Sequence, residues 1–224
     1  MCGRTIFDFR WAEVHGLLSQ SGVGLSARSR RLDGPTPNSN AAPESLIPAL
    51  RAGDGALEAV MLRWWLTPSW SKGVSRAHAM FNARAETAAD RPAFRDPFRR
   101  RRCVAPVSGF YEWAQTGSTT KQPYCFSRAD HQPMFLAALW DRWVGDGATV
   151  ESCAILTRAA NERMASYHQR MPCVLEPDRV DAWCAPGLTD PAGVAEFLGP
   201  VSEGVLVARA VDPRVNSTRG SEPM

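Results

Sequence analysis

Cysteine stands second in the chain, in Met1-Cys2-Gly3-Arg4. An initiator methionine ahead of a small residue is usually trimmed in the cell. Trimming here would leave one residue carrying both a thiol and a free α-amine. Such an amine has a reference pKa of about 7.7–8.0 and the thiol about 8.5, so both supply some nucleophile near neutral pH. A 1,2-aminothiol condenses with an aldehyde to an imine, and its thiol then closes a five-membered thiazolidine. Read alone, a second-position cysteine is equally an accident of sequence.

Other polar residues sit in apolar or aromatic runs. Asn82 and Arg84 lie in Phe81-Asn82-Ala83-Arg84-Ala85-Glu86-Thr87, and Glu112 lies in Gly109-Phe110-Tyr111-Glu112-Trp113. On a strand, Phe110 and Glu112 point to the same face, which sets the carboxylate beside a core side chain. Burial there would raise its pKa and suit it to general acid–base work. An edge-strand glutamate in water fits the local pattern as well. His168, in Tyr167-His168-Gln169-Arg170-Met171-Pro172, falls where a helix gives way to an extended, proline-marked segment. Histidine is the natural proton shuttle near neutral pH, although a lone one is more often structural. His15, His78 and His131 lie in polar or loop contexts.

The elements that must position these groups are short. Arg10–Gln20 carries Trp11, Val14, Leu17 and Leu18 at helical spacing. Residues 21–45 are rich in Gly, Ser, Pro and Asn and read as a long loop, a type that is more often functional or disordered than idle. Strands are expected at Leu46–Ala52 and Leu57–Trp65 around a Gly-Asp-Gly turn, with irregular chain over 70–81 and mixed helical character over 83–94. Further strands are expected at 103–107, 109–115, 124–128, 134–140, 153–157, 171–175 and 205–211. Short helices are expected at 161–167, 177–184 and 191–198. The helices do not alternate regularly with the strands, which argues for α+β over a doubly wound sheet. No domain boundary stands out, so residues 1–224 read as one domain.

Composition narrows the setting. The chain has 224 residues and a net charge of +3, which permits a nucleic-acid partner without requiring one. The basic residues cluster at Arg99–Arg102 and at Arg28, Arg30 and Arg31. Each cluster is a nucleic-acid patch or solvated surface. The six cysteines are widely spaced, with no CxxC pair and no Cys/His metal spacing. No apolar segment is long enough to span a bilayer. Free thiols in a reducing, intracellular setting follow. Eight tryptophans are many. Trp64, Trp65 and Trp70 cluster, and tryptophan beside arginine suits stacking on unpaired bases as well as it suits a core.

Cys2-Gly3-Arg4, Asn40-Ala41-Ala42-Pro43, Asn82–Thr87, Gly109–Trp113 and His168–Pro172 occur in this order across nearly the whole chain. Together they resemble the SOS response-associated peptidase family, the abasic-site-shielding proteins. The resemblance implies one α+β domain around a strongly curved, barrel-like, mainly antiparallel sheet flanked by short helices. It implies loss of Met1, with self-processing of the peptidase type, and crosslinking of Cys2 to abasic sites in single-stranded DNA, with lyase-type chemistry on the same path. By matching position, Glu112 would move protons, His168 would protonate the sugar oxygen as the ring opens, and Asn82 would orient the cysteine or the sugar. Arg4 and Arg84 would grip flanking phosphates, with Asn40 in the same DNA-binding set. Pro43, Trp70 and Trp113 would pack against bases. No metal or organic cofactor is implied, and neither is a membrane. The protein would act as a monomer in the cytoplasm, on the nucleoid when bound to DNA.

Two positions depart from the family pattern. Ser71 stands where a second tryptophan is usual, and Ala210-Val211-Asp212 replaces a Pro-Val-Ser segment. Three other functions compete. A thiol peptidase would use Cys2, Glu112 and His168 on peptide bonds, but it also needs an oxyanion hole. A class II glutamine amidotransferase shares only the Met-Cys-Gly start, and no Asn-Gly pair occurs here. A plain single-strand binder would leave Cys2 idle.

Overall fold

A computed structural model describes residues 3–31, 34–75, 78–117, 121–202 and 204–217. Thirteen strands are described: β1 (Thr5–Phe7), β2 (Asn38–Ala41), β3 (Leu46–Ala52), β4 (Leu57–Arg63), β5 (Asn82–Arg84), β6 (Arg102–Val107), β7 (Gly109–Gln115), β8 (Lys121–Arg128), β9 (Met134–Gly145), β10 (Ala148–Ala159), β11 (Arg170–Pro172), β12 (Val174–Leu175) and β13 (Leu206–Ala210). The α-helices are α1 (Trp11–Gln20), α2 (Arg95–Arg100), α3 (Glu162–Ala165), α4 (Val180–Cys184) and α5 (Pro191–Ala195).

Strands β3, β4, β10, β9 and β6 pair in a ring, because β10 bonds both β9 and β4. This closed five-stranded barrel removes its own edges. Strands β5, β11 and β12 attach to its rim. A second, antiparallel sheet runs β13-β8-β7-β1-β2. The expected curved, mainly antiparallel sheet with short helices is therefore what forms. One apolar cluster fills the interior, with Trp64, Trp183, Phe98 and Phe135 among its fully buried side chains.

Local chemistry explains the element boundaries. Helix α1 buries Trp11, Val14 and Leu18, and Glu13 returns to the Arg10 backbone N–H as half of a capping box. The β9–β10 hairpin runs well past the expected ends at 140 and 153. Its two-residue turn, Asp146-Gly147, has φ of 51° and 71°. Both values are positive, as a type I′ hairpin turn demands. The charged pair Asp141-Arg142 had read as a strand end, yet Asp141 is buried and its Oδ1 meets Arg101 Nε at 3.1 Å.

Strand β2 forms inside the expected loop, and β5 joins the expected irregular stretch to the one expected to be helical. Each is three or four residues long and too short to show alternation. The expected strand over 171–175 divides at Cys173, whose backbone bonds Leu156 on one side and Ala137 on the other. Strand β4 stops at Arg63, two residues early. Gly109 opens β7 because nothing larger fits: a Cβ there would stand 2.8 Å from the carbonyl oxygen of Phe126.

Candidate functional site

Glu112 lies in the middle of the second sheet, since β7 is flanked by β8 and β1. It is 2% exposed, so the alternative of an edge-strand glutamate in water is overturned. Its cross-strand partner is Tyr124, and Phe110 faces Phe126 two residues away. Opposed residues share a face, so Phe110, Glu112, Tyr124 and Phe126 form one patch. Phe110 stacks on Phe126 at 5.1 Å. Tyr167 then packs edge-on against Tyr124 at 4.7 Å and Phe126 at 5.2 Å. These aromatic contacts dock the segment carrying His168 onto the face from which Glu112 projects.

The approach of the N-terminal residues follows from β1. Thr5 pairs with Phe110 and Ile6 with Gly109, and the Tyr111 N–H donates to the Arg4 carbonyl at 3.0 Å. The pairing reaches no further than the Arg4 carbonyl, and Gly3 precedes it. Cys2 lies outside the described residues.

His168 follows α3, whose Asn161 side chain accepts the Met164 N–H at 2.9 Å. The expected helix over 161–167 is shorter than anticipated. The Tyr167 and His168 N–H groups both return to the Met164 carbonyl, at 2.9 and 3.0 Å, and close the helix. The Arg170 backbone N–H donates to His168 Nδ1 at 2.9 Å. The same nitrogen lies 3.1 Å from the Arg170 carbonyl oxygen.

Asn82 and Arg84 sit on β5, which runs parallel to β10 with Asn82 opposite Ile155 and Arg84 opposite Thr157. Phe81 sets their entry. Its carbonyl accepts from Trp64 Nε1 at 2.8 Å, and its ring lies 5.6 Å from Trp65. Asn82 is half-buried and Arg84 exposed. The block carrying Asn82 is tied to the block carrying His168 by a bidentate pair, Arg170 to Glu86 at 2.6 and 2.8 Å. Arg170 holds the Glu86 carboxyl down at about 2 against the opposing effect of burial. Neither Glu86 nor Arg170 had drawn attention, although both stand inside the quoted motifs with opposite charge.

On the other face of β7 lies a second polar group. Arg4 donates to Asn40 Oδ1 at 2.8 Å and to the carbonyls of Val215 and Asn216 at 2.7 and 3.1 Å. Asn40 Nδ2 donates to the carbonyls of Val215 and Ser217 at 3.1 and 2.9 Å. Trp113 Nε1 donates to Asn216 Oδ1 at 2.6 Å. Asp212 caps this C-terminal turn by accepting the Arg214 N–H at 2.8 Å, which accounts for an acidic residue there. Arg4, Asn40 and Trp113 are thus brought together, around a main-chain turn that their sequence positions did not reveal.

Pro43 and Glu44 occupy the corners of the turn Ala42–Ser45, with Glu44 at φ 81°. Trp70 is 65% exposed, in a loop whose Ser71 carbonyl accepts from Trp143 Nε1 at 2.9 Å and whose Ser71 hydroxyl bonds Gly73. Trp11, Trp64, Trp143 and Trp183 are core. The described cysteines are free thiols, and burial pushes each upward, Cys125 to about 11 and Cys173 to about 12, with Cys103, Cys153 and Cys184 raised by the same cause. None of the five is a competent thiolate at neutral pH.

The family described as SOS response associated peptidase (SRAP) matches residues 1–218. The chain is similar to the abasic site processing protein YoqW of Bacillus subtilis, 33% identical over 189 residues and 84% of each chain. It is similar to the abasic site processing protein YoaM of the same bacterium, 35% identical over 187 residues, 83% of this chain and 82% of the other. A solved Bacteroides thetaiotaomicron structure superposes with a TM-score of 0.79 at 24% identity, covering 95% of this chain and 93% of that one. A Bordetella bronchiseptica structure does so at 0.78 and 24%, over 94% and 100%. At that identity the likeness is one of fold.

Proposed function

Because the chain belongs to the SOS response-associated peptidase family, we propose that it processes abasic sites in DNA, capturing them in single strands as a covalent adduct of Cys2. One observation carries the reading: β1 pairs with the start of β7, whose Glu112 is buried on the face where Tyr167 docks the His168 segment. Relatives named abasic site processing proteins support the same substrate.

Loss of Met1 frees the α-amine. Opening of the abasic sugar exposes an aldehyde, and His168 gives a proton to the departing ring oxygen. The amine adds to the aldehyde carbon, and Glu112 shuttles protons as the carbinolamine loses water to an imine. The thiolate then adds to the imine carbon and closes the thiazolidine. One C–N and one C–S bond form and one water leaves. Asn82 orients the reacting groups and Arg84 holds a flanking phosphate. Arg4 and Asn40 fix the strand and the C-terminal turn and belong to the DNA-binding set of residues. Pro43, Trp70 and Trp113 offer faces to neighbouring bases. The protein works as a single-domain monomer in the cytoplasm, on nucleoid DNA. No described helix is long and apolar enough to cross a membrane.

Purified protein mixed with an abasic single strand, without added reductant, should give a species that survives denaturing electrophoresis. Its mass should be that of the Met1-free protein plus DNA minus one water. Absence of the species, or its persistence in Cys2→Ala, refutes the proposal. Intact masses of wild type and Glu112→Gln also test the peptidase reading: retention of Met1 in the variant alone would assign its removal to this site.

A further inference from the structure

The basic run Arg99–Arg102 does not act as one patch. Arg102 is 1% exposed and donates to main-chain carbonyls in the interior. Arg101 is half-buried and pairs with Asp96 and Asp141. Arg100 lies 3.7 Å from Asp96. Only Arg99 is both exposed and without a carboxylate among the described residues.

Arg99 belongs instead to a different set. The Arg91 N–H bonds Thr87, the Arg95 N–H bonds Arg91 and the Phe98 N–H bonds Phe94, so helical turns lead from Thr87 into α2. Arg95 and Arg99 stand one turn apart on α2, and the bond from the Arg95 N–H to the Arg91 carbonyl sets Arg91 one turn before them. All three are exposed, and none has an ion pair or side-chain hydrogen bond among the described residues. Phe98 and Pro97 turn to the core on another face.

The surrounding acids do not neutralise this ridge. Glu86 is held by Arg170, and Asp96 by Arg101 and Arg100. Asp90 is exposed in the turn before Arg91 and forms no ion pair among the described residues. Like charges at i, i+4 are unfavourable in a helix on their own. The ridge also begins beside the candidate site, because the Thr87 N–H bonds the carbonyl of Arg84, the last residue of β5.

We propose that Arg91, Arg95 and Arg99 form a second, reversible contact with the phosphate backbone of the DNA that flanks the reacting sugar. This rests on the function proposed above. The ridge reads no bases. It holds the arm of DNA that leads away from Arg84 and contributes through counterion release.

The test is equilibrium binding of the full chain to an undamaged single strand, and to the same strand with a duplex arm, over a range of salt. Replacing all three residues (Arg91→Gln, Arg95→Gln, Arg99→Gln) should lower the slope of log affinity against log salt by about 2 on the single strand and by nearly 3 if the duplex arm is what the ridge grips. The crosslinking rate at saturating abasic DNA should stay at the wild-type value. The matching triple lysine variant should restore the slope. Slopes equal to wild type in the glutamine variant, on both DNAs, overturn the ridge while leaving the capture chemistry standing. A wild type that binds neither DNA and forms no adduct overturns both.

Discussion

Trp113 Nε1 donates to Asn216 Oδ1 at 2.6 Å, joining β7 to the last described turn of the chain. Trp113 is the neighbour of Glu112, and the turn it holds also receives Arg4 from β1. The end of the chain thereby clamps the strand that leads to Cys2. Asn216→Ala should cost about 1 kcal/mol, the net worth of one such bond, read as a shift in the urea midpoint. It should also slow adduct formation at saturating DNA, because the clamp positions the strand. Asn216→Asp keeps the acceptor and should recover most of both. A slowed rate with an unmoved midpoint would place Asn216 on the DNA instead.

Glu112 tests the proton-transfer role separately from binding. Glu112→Gln keeps the shape of a side chain buried between Phe110 and Tyr124, so the fold should persist. Affinity for undamaged single strands should be unchanged. Adduct formation should fall by about 10²-fold or more, the usual effect of removing a positioned general acid–base group. Equal rates in the two proteins would remove Glu112 from the chemistry.

Much of this arrangement was legible in the sequence, and the rest was not for definite reasons. Strands such as Leu46–Ala52 and Gly109–Gln115 show their apolar pattern locally, and the structure keeps them at those bounds. The clamp around Arg4 rests on carbonyls of Val215, Asn216 and Ser217, and a main-chain acceptor leaves no trace in side-chain identity. The contact of Tyr167 with Tyr124 joins residues 43 apart, which only the paired sheets bring together. The long β9–β10 hairpin was missed although Asp146-Gly147 is its ordinary turn signal. Two charged residues, Asp141 and Arg142, masked the continuation.

The Glu86–Arg170 pair should leave a mark on acid stability. Its carboxyl is depressed from 4.5 to about 2 in the folded state. A depressed carboxyl stabilises the fold above its unfolded pKa and loses that contribution as pH falls through the folded value. The contribution is therefore complete above about pH 4.5 and disappears between there and pH 2. The Glu86 side chain is 49% exposed, so solvent screening should keep it under about 1 kcal/mol. Urea midpoints at pH 7, 4.5, 3 and 2 should converge for wild type and Glu86→Gln toward the acid end. A gap that stays constant across the series would mean that the pair contributes nothing through its charge.

Arg102 is the place where a single change should do most harm. The residue is 1% exposed, and its guanidinium pairs with no carboxylate among the described residues. It donates instead to the carbonyls of Phe98 at 2.9 Å, Arg99 at 2.7 Å, Trp183 at 2.6 Å and Ala185. Those oxygens close the C-terminal ends of α2 and α4, where a cation is favoured by the helix dipole. The planar fork reaches both helices at once, which an ammonium group cannot do. Arg102→Met would strand four buried or half-buried acceptors and should cost at least about 2 kcal/mol. Arg102→Lys should recover only part of that, whereas Arg99→Ala should lie within about 0.5 kcal/mol of wild type. Urea unfolding of the three variants orders them, and an Arg102→Lys variant as stable as wild type would show that charge alone, not the fork, holds the two helix ends.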